Sequence, residues 1–202
     1  HLIAGIKKPS TGKLSLHGRQ LFNAQQGFSL AQHHRKIAVV FQESRLFPHM
    51  TVHQNLCFGK PKQTSKTIAF DETVQLLALA SLLEKKPEAL SGGEAQRIAL
   101  TSTLSSNLVN TLYVLDEPSS GLHPVENKRV ISVLQKLCHL NNTLAIVEHD
   151  ADFILAADHI VELGPGAGKA GGQLVFEGPY AQLIASTSSP TGKILNAPSP
   201  AD

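Results

Sequence analysis

Three groups of residues in this chain could do phosphate chemistry together. Ser91-Gly92-Gly93 offers unhindered backbone N–H groups and a hydroxyl at a helix start, where the helix dipole favours anions. Asp116-Glu117-Pro118 ends the apolar run LYVL. That is where a parallel strand delivers side chains to a ligand at its carboxyl end. Asp116 is placed there to hold Mg²⁺ directly or through water, and Glu117, projecting differently, to polarise an attacking water. Two adjacent acids after apolar residues are expected to be buried, and then costly unless a cation compensates them. His149 follows a second apolar run, LAIVE, and a neutral imidazole there could bond a γ-phosphate or orient a water. Gln42, after the run IAVVF, could reach Mg²⁺ or water from the opposite side. Together these residues point to a nucleotide hydrolase.

Other glycine motifs do not supply a phosphate loop. Gly12-Lys13 is followed by Leu14 and has Lys7 five positions earlier, so GxxxxGK[ST] fails; Gly192-Lys193-Ile194 fails likewise. Gly166 to Gly171 matches GxGxxG, but no helix pattern or ribose-binding acid follows, so it reads as a turn.

Composition bounds the rest. A chain of 202 residues, 42% apolar, can bury one substantial core, with or without a small subdomain. A net charge of +2 is too mild to argue for nucleic acid or an anionic membrane surface. Cys57 and Cys138 lack CxxC or HxxxH partners and read as partly buried thiols in a reducing compartment. No apolar run approaches the ~18–20 residues of a membrane span, and no signal peptide is visible. His33, His34, His49, His53 and His139 read as solvated surface residues. Position 1 is His rather than Met, which suggests a chain that begins inside a longer gene product.

The positioning elements follow from periodicity. Ile37–Phe41, Thr111–Leu115 and Thr143–Val147 are short apolar runs expected as strands. Phe70–Glu84 carries Val74, Leu77, Leu79, Leu82 and Leu83 at roughly helical spacing, and Lys60–Thr67 reads as an exposed linker. Ser91 caps an expected helix from Glu94 to Leu104, and Pro124 opens one to Leu137. A short helix at Ala151–Ala157 precedes a late hairpin, His159–Leu163 with Gln173–Phe176. Alternation of strand and helix predicts an α/β fold with a mostly parallel sheet.

LSGGE at 90–94, VLDEP at 114–118, Gln42 and His149 together resemble the signature, Walker B strand, Q-loop and switch histidine of the ATP-binding-cassette (ABC) ATPases. The resemblance covers nearly the whole chain. It implies a P-loop NTPase-like cassette over 1–186, with a helical signature subdomain at about 60–105 and a loosely ordered tail at 187–202. It also implies ATP and Mg²⁺ as cofactors, and a second cassette pairing head to tail. Asp116 and Gln42 would serve the metal, Glu117 the water, and His149 with Gln42 the γ-phosphate. Ser91, Gly92, Gly93, Glu94 and Gln96 would close on ATP held by the partner. The Walker A loop is expected just upstream of Leu2-Ile3-Ala4-Gly5, so the 202 residues alone are expected to bind ATP weakly.

Within the family the halves diverge. Residues 1–90, through AGIKKPSTGKLSLHG and FQESRLFPHMTVHQNLCFG, resemble importer ATPases of the molybdate type. Residues 91–195, through LSGGEAQRIAL, TLYVLDEPSSGLHP and NTLAIVEHDADFILAADHIVELGPGAG, resemble the amino-terminal cassette of the UvrA family of DNA-repair excinuclease proteins. His123 stands where transporter cassettes usually place aspartate. The repair family's large zinc-bearing modules have no room between Gln42 and Ser91. The expected role is therefore nucleotide-excision repair on duplex DNA, and a repair helicase subunit is the expected partner. The alternatives are an importer's ATPase docked on a membrane permease, or a truncated cassette without independent activity. A cytoplasmic location is expected, peripheral to the inner membrane for an importer.

Overall fold

The structure is a computed structural model. It describes residues 2–40, 46–58, 70–104, 108–164, 166 and 171–197. The chain divides into two compact units, 1–147 and 148–202.

In the first unit, β4 (Ile37–Val40), β5 (Leu112–Asp116) and β6 (Thr143–Val147) form a parallel sheet in the order β4-β5-β6. Val40 pairs with Leu115 and Asp116 with Val147. The sheet is the predicted one, and its register brings the run-out of β5 beside that of β6. Tyr113 and Leu115 are fully buried on the central strand, as parallel strands covered on both faces require. β6 is the outer strand of this sheet among the described residues, and Ile146 and Val147 are exposed.

A separate antiparallel sheet, β1 (Lys13–Leu16), β2 (Arg19–Asn23) and β3 (Phe28–Ser29), lies outside the sequence expectations. Its hairpin turns on His17-Gly18, both at positive φ (48° and 75°). This is the two-residue turn whose twist matches its strands.

Between β4 and β5 the described elements are helical. α1 (Val52–Cys57) is opened by a Thr51–Gln54 capping box. α2 (Phe70–Leu76) is shorter than the predicted 70–84. Ala78 takes a left-handed φ of 52°, the Leu79 N–H donates to the Val74 carbonyl, and the Ala78 N–H donates to that of Gln75. This is a Schellman closure, with Leu79 buried as its apolar partner. Alanine is a poor residue at that position. Ala78→Gly is expected to raise stability by about 0.5–1 kcal/mol, read as a higher urea midpoint with an unchanged slope.

α3 (Gly92–Leu104) and α4 (Pro124–Cys138) follow their expected bounds closely. Ile98 and Leu100 of α3, and Val130, Val133, Leu134 and Leu137 of α4, are core residues. Cys57 and Cys138 are both exposed, not partly buried, and unbonded as disulfides. The five histidines expected at the surface are all exposed.

In the second unit, α5 (Ala151–Ala156) is capped by Asp150, and β7 (Ile160–Gly164) pairs antiparallel with β8 (Gln173–Gly178). α6 (Tyr180–Ala185) and α7 (Pro190–Asn196) close the chain. α7 corrects the expectation of a loose tail over its residues. Ser189 caps it, and the Glu162 carboxylate accepts from the Ser189 hydroxyl and from the Thr191 N–H and hydroxyl. Burial raises the Glu162 pKa and these bonds lower it further, leaving it below its usual range. No helix among the described residues is long and apolar enough to cross a membrane.

Candidate functional site

The site is built at the carboxyl end of β5. Asp116 is the last strand residue, and Glu117 leaves the sheet with a left-handed φ of 46°. Such a backbone costs a non-glycine residue of order 1–3 kcal/mol and persists only where the surroundings enforce it. Here the Glu117 N–H donates to the Val147 carbonyl at 2.9 Å and its carbonyl accepts from the Ser120 N–H at 3.0 Å. The chain thus turns sharply between the two acids, so their side chains leave the strand in different directions. Asp116 is exposed and Glu117 half-buried. The expectation that both are buried is corrected: solvent reaches the pair, and the desolvation argument for a cation falls away. Mg²⁺ requires only one or two carboxylates beside water and phosphate oxygens. An exposed Asp116 at a strand end fits that demand, although no cluster of three metal-ligating side chains occurs among the described residues.

The glycine turn is held against the same loop. A Cβ at Gly93 would lie 2.2 Å from the Gly121 carbonyl oxygen, and Gly121 itself sits at a φ of +74°. Two glycines remote in sequence thus let the backbone before α3 and the backbone after Glu117 touch. Gly121 escaped the sequence reading; its only trace there is a glycine a few residues after Asp-Glu-Pro.

Ser91 and Glu94 close on each other. The Glu94 N–H donates to Ser91 Oγ at 3.2 Å, and the Ser91 N–H donates to Glu94 Oε2 at 2.7 Å, a reciprocal capping box. That bond from the Ser91 N–H, with the Ser91 hydroxyl and the Lys85 and Arg97 charges, outweighs burial and holds the Glu94 carboxyl below its ordinary 4.5. A lowered folded pKa stabilises above the unfolded value and loses its effect as pH falls through the folded one. Wild type is therefore expected to exceed Glu94→Gln by about 0.3–1 kcal/mol at neutral pH. The gap should close below pH 4.5, and urea melts of both proteins across that range would show it. A pH-independent gap would exclude the charge as its source.

Behind the turn, Gln96 is only 3% exposed, and its Nε2 has no hydrogen-bond partner among the described residues. It lies inside the fold rather than presented to a partner. Arg97 bonds the Leu77 carbonyl at 3.0 Å and pairs with Glu126 at 3.1 Å, fastening α3 to the start of α4. Glu126 also accepts from the His123 N–H, while His123 Nδ1 accepts from the Val125 N–H at 3.4 Å. His123 is thus the N-cap of α4. An aspartate could do the same work.

Two further expected site residues come from other parts of the chain. His149 belongs to the second unit, where it is exposed and its N–H donates to Glu148 Oε2 at 2.9 Å. Gln42 lies outside the described residues.

Residues 1–120 match the family model described as ABC transporter. The chain belongs to the ABC transporter family. Within this family, UvrABC system protein A of Pasteurella multocida is 53% identical over 114 residues, 56% of this chain and 12% of that protein. UvrABC system protein A of Lactiplantibacillus plantarum is 46% identical over 145 residues, 71% of this chain and 15% of that protein. Both matches thus span a small fraction of those relatives' own length. The crystal structure of UvrA2 from Deinococcus radiodurans superposes with a TM-score of 0.59 at 40% identity, covering 66% of this chain and 16% of that one. The ABC transporter component CbiO1 of Clostridium perfringens reaches 0.64 over 93% of this chain and 73% of its own, and at 22% identity it speaks to the fold alone. The α/β fold with a parallel core sheet is that of the ABC ATPases.

Proposed function

We propose that this chain contributes one half of a composite ATP-hydrolysing site to a UvrA-like DNA-repair protein. The observation that carries the hydrolytic reading is Glu117, held at a φ of 46° beside Asp116 at the end of a parallel strand. Glu117 accepts the proton of a water as that water attacks the γ-phosphorus, the bond from that phosphorus to the β,γ-bridging oxygen breaks, and ADP leaves. Asp116 and Gln42 would hold Mg²⁺, which would supply neutralisation of charge on the phosphate oxygens. His149 and Gln42 orient the γ-phosphate and the water.

Gly92 and Gly93 present backbone N–H groups, and Ser91 its hydroxyl, to ATP gripped by a second cassette, in the same gene product or in a second copy. Glu94 and Gln96 serve that contact from behind: Glu94 fixes the turn through the capping box, and buried Gln96 backs it. The whole of residues 1–186 acts as one cassette in this reading, with the helices of about 60–105 carrying the signature. The protein works in the cytoplasm, on duplex DNA, alongside a repair helicase subunit.

The extent and level of identity to UvrABC system protein A support repair. The match of residues 1–120 to the transporter model supports a second reading, the ATP-binding subunit of a membrane importer. Binding of the intact gene product to a duplex carrying a bulky lesion, measured by anisotropy across a salt series, tests the choice. Repair predicts saturable binding whose logarithm falls linearly with log salt. No binding at low salt, together with co-purification with an integral membrane partner, would shift the assignment to transport.

A further inference from the structure

The amino-terminal pole of the parallel sheet carries a cavity of about 360 Å³ that the nucleotide chemistry does not use. Its wall includes His17, Arg19, Arg35, Lys36, Asn110 and Asn141. Lys36 immediately precedes β4, Asn110 lies just before β5, and Asn141 just before β6. Four residues of β5, Leu112 to Leu115, at about 3.3 Å each, separate this pole from Asp116. Among the described residues no carboxylate lines the cavity.

Two features distinguish it from an ordinary strand-turn surface. First, four of its residues, His17, Lys36, Asn110 and Asn141, have φ between 48° and 60°. They are most of the non-glycine residues held in the left-handed region among those described. Asparagine and histidine tolerate that backbone; lysine has no special aptitude for it. Strained backbone of this kind concentrates where a site must be held in shape.

Second, Arg35 is a buried cation, 3% exposed, without an acidic partner among the described residues. Its Nε donates to the Leu30 carbonyl at 2.8 Å. Its Nη1 donates to the carbonyls of Leu2 and Ile3 at 3.2 and 2.8 Å, and its Nη2 to Ser29 Oγ at 3.2 Å. These neutral acceptors satisfy its hydrogen bonds and leave its charge in place. A buried charge without a counter-ion is costly, and an anion in the adjoining cavity would offset that cost. Arg19 and Lys36, both exposed on the same wall, would supply two further charges.

We propose that this cavity binds a free phosphate-bearing anion of pyrophosphate size. The buried Arg35 fixes the potential, and Arg19 and Lys36 donate to the phosphate oxygens. An arginine fork matches an oxyanion in geometry as well as charge, so phosphate is favoured over chloride. A part-enclosed concavity of this volume suits a small ligand rather than the backbone of a duplex.

The test is a titration of the ¹⁵N-labelled 202-residue chain with pyrophosphate at constant ionic strength, with chloride as the blank, followed by backbone and arginine Nε–H resonances. Saturable shifts of residues 17–19, 35–36, 110 and 141 are expected, and Asp116→Asn should leave them unchanged. Arg19→Gln and Lys36→Asn, the latter keeping a residue that accepts the left-handed backbone, should each weaken binding about two- to fivefold. The two together should weaken binding about four- to twenty-fivefold. Shifts equal to those of chloride, binding indifferent to both substitutions, or loss of the shifts in Asp116→Asn would overturn the proposal. So would tighter saturation of the same resonances by a short DNA duplex, which would make the cavity part of a nucleic-acid surface.

Discussion

Glu117→Gln is expected to reduce ATP turnover by about 10²–10⁴, the range that loss of a positioned general base produces, while leaving ATP binding intact. Gln keeps the size of the side chain and both hydrogen-bonding positions but cannot take up a proton. The left-handed φ of 46° is a property of the backbone, fixed by the bond to the Val147 carbonyl and the turn to Ser120. Gln inherits that strain unchanged, so the backbone adds no difference in stability between the variant and wild type. The experiment pairs phosphate release with retention of labelled ATP by the intact gene product. Turnover within threefold of wild type would remove Glu117 from the proton path. Loss of ATP binding alongside turnover would instead make its role electrostatic.

The sequence was most legible where one local signal decides the outcome. Ile37–Val40, Leu112–Asp116 and Thr143–Val147 are strands because β-branched, apolar runs of that length have few alternatives, and they do pair in parallel. Pro124 could only begin a helix, and it does. What escaped depends on partners distant in sequence. Leu79 and Leu82 continue a helical rhythm past Leu76, yet the helix stops because burying Leu79 against its own last turn requires Ala78 to go left-handed. The β1–β3 sheet is short, and its edges are set by a His17-Gly18 turn that a propensity reading passes over. At the candidate site, the identities of Asp116 and Glu117 announced themselves, while their exposure did not, because burial depends on the surrounding fold and not on their apolar neighbours. Ser91 shows the same division. Its capping role was visible from its place before α3, but the closing of the Glu94 carboxylate back onto it, which occupies the Ser91 N–H, emerged only in three dimensions.

Gly93→Ala should be among the most damaging single changes in the chain for its size. The added methyl would stand 2.2 Å from the Gly121 carbonyl oxygen, and that atom belongs to backbone, not to a side chain that can swing aside. Overpacking of this kind costs about 1–3 kcal/mol. Relief would push the turn before α3 away from the loop that carries Asp116 and Glu117, which are the two halves of the proposed chemistry. Gly121→Ala makes the comparison informative. Its Cβ would meet Gly93 N at 3.4 Å, an ordinary contact, so its penalty is the φ of +74° alone, about 1 kcal/mol. The clash at position 93 is with an oxygen that Gly121→Ala does not move. The double variant should therefore lose stability by nearly the sum of the two single changes, a result that chemical melts of all four proteins would resolve. If Gly93→Ala were neutral, or if Gly121→Ala rescued it, the signature turn and the Asp-Glu-Pro loop would not be in rigid contact.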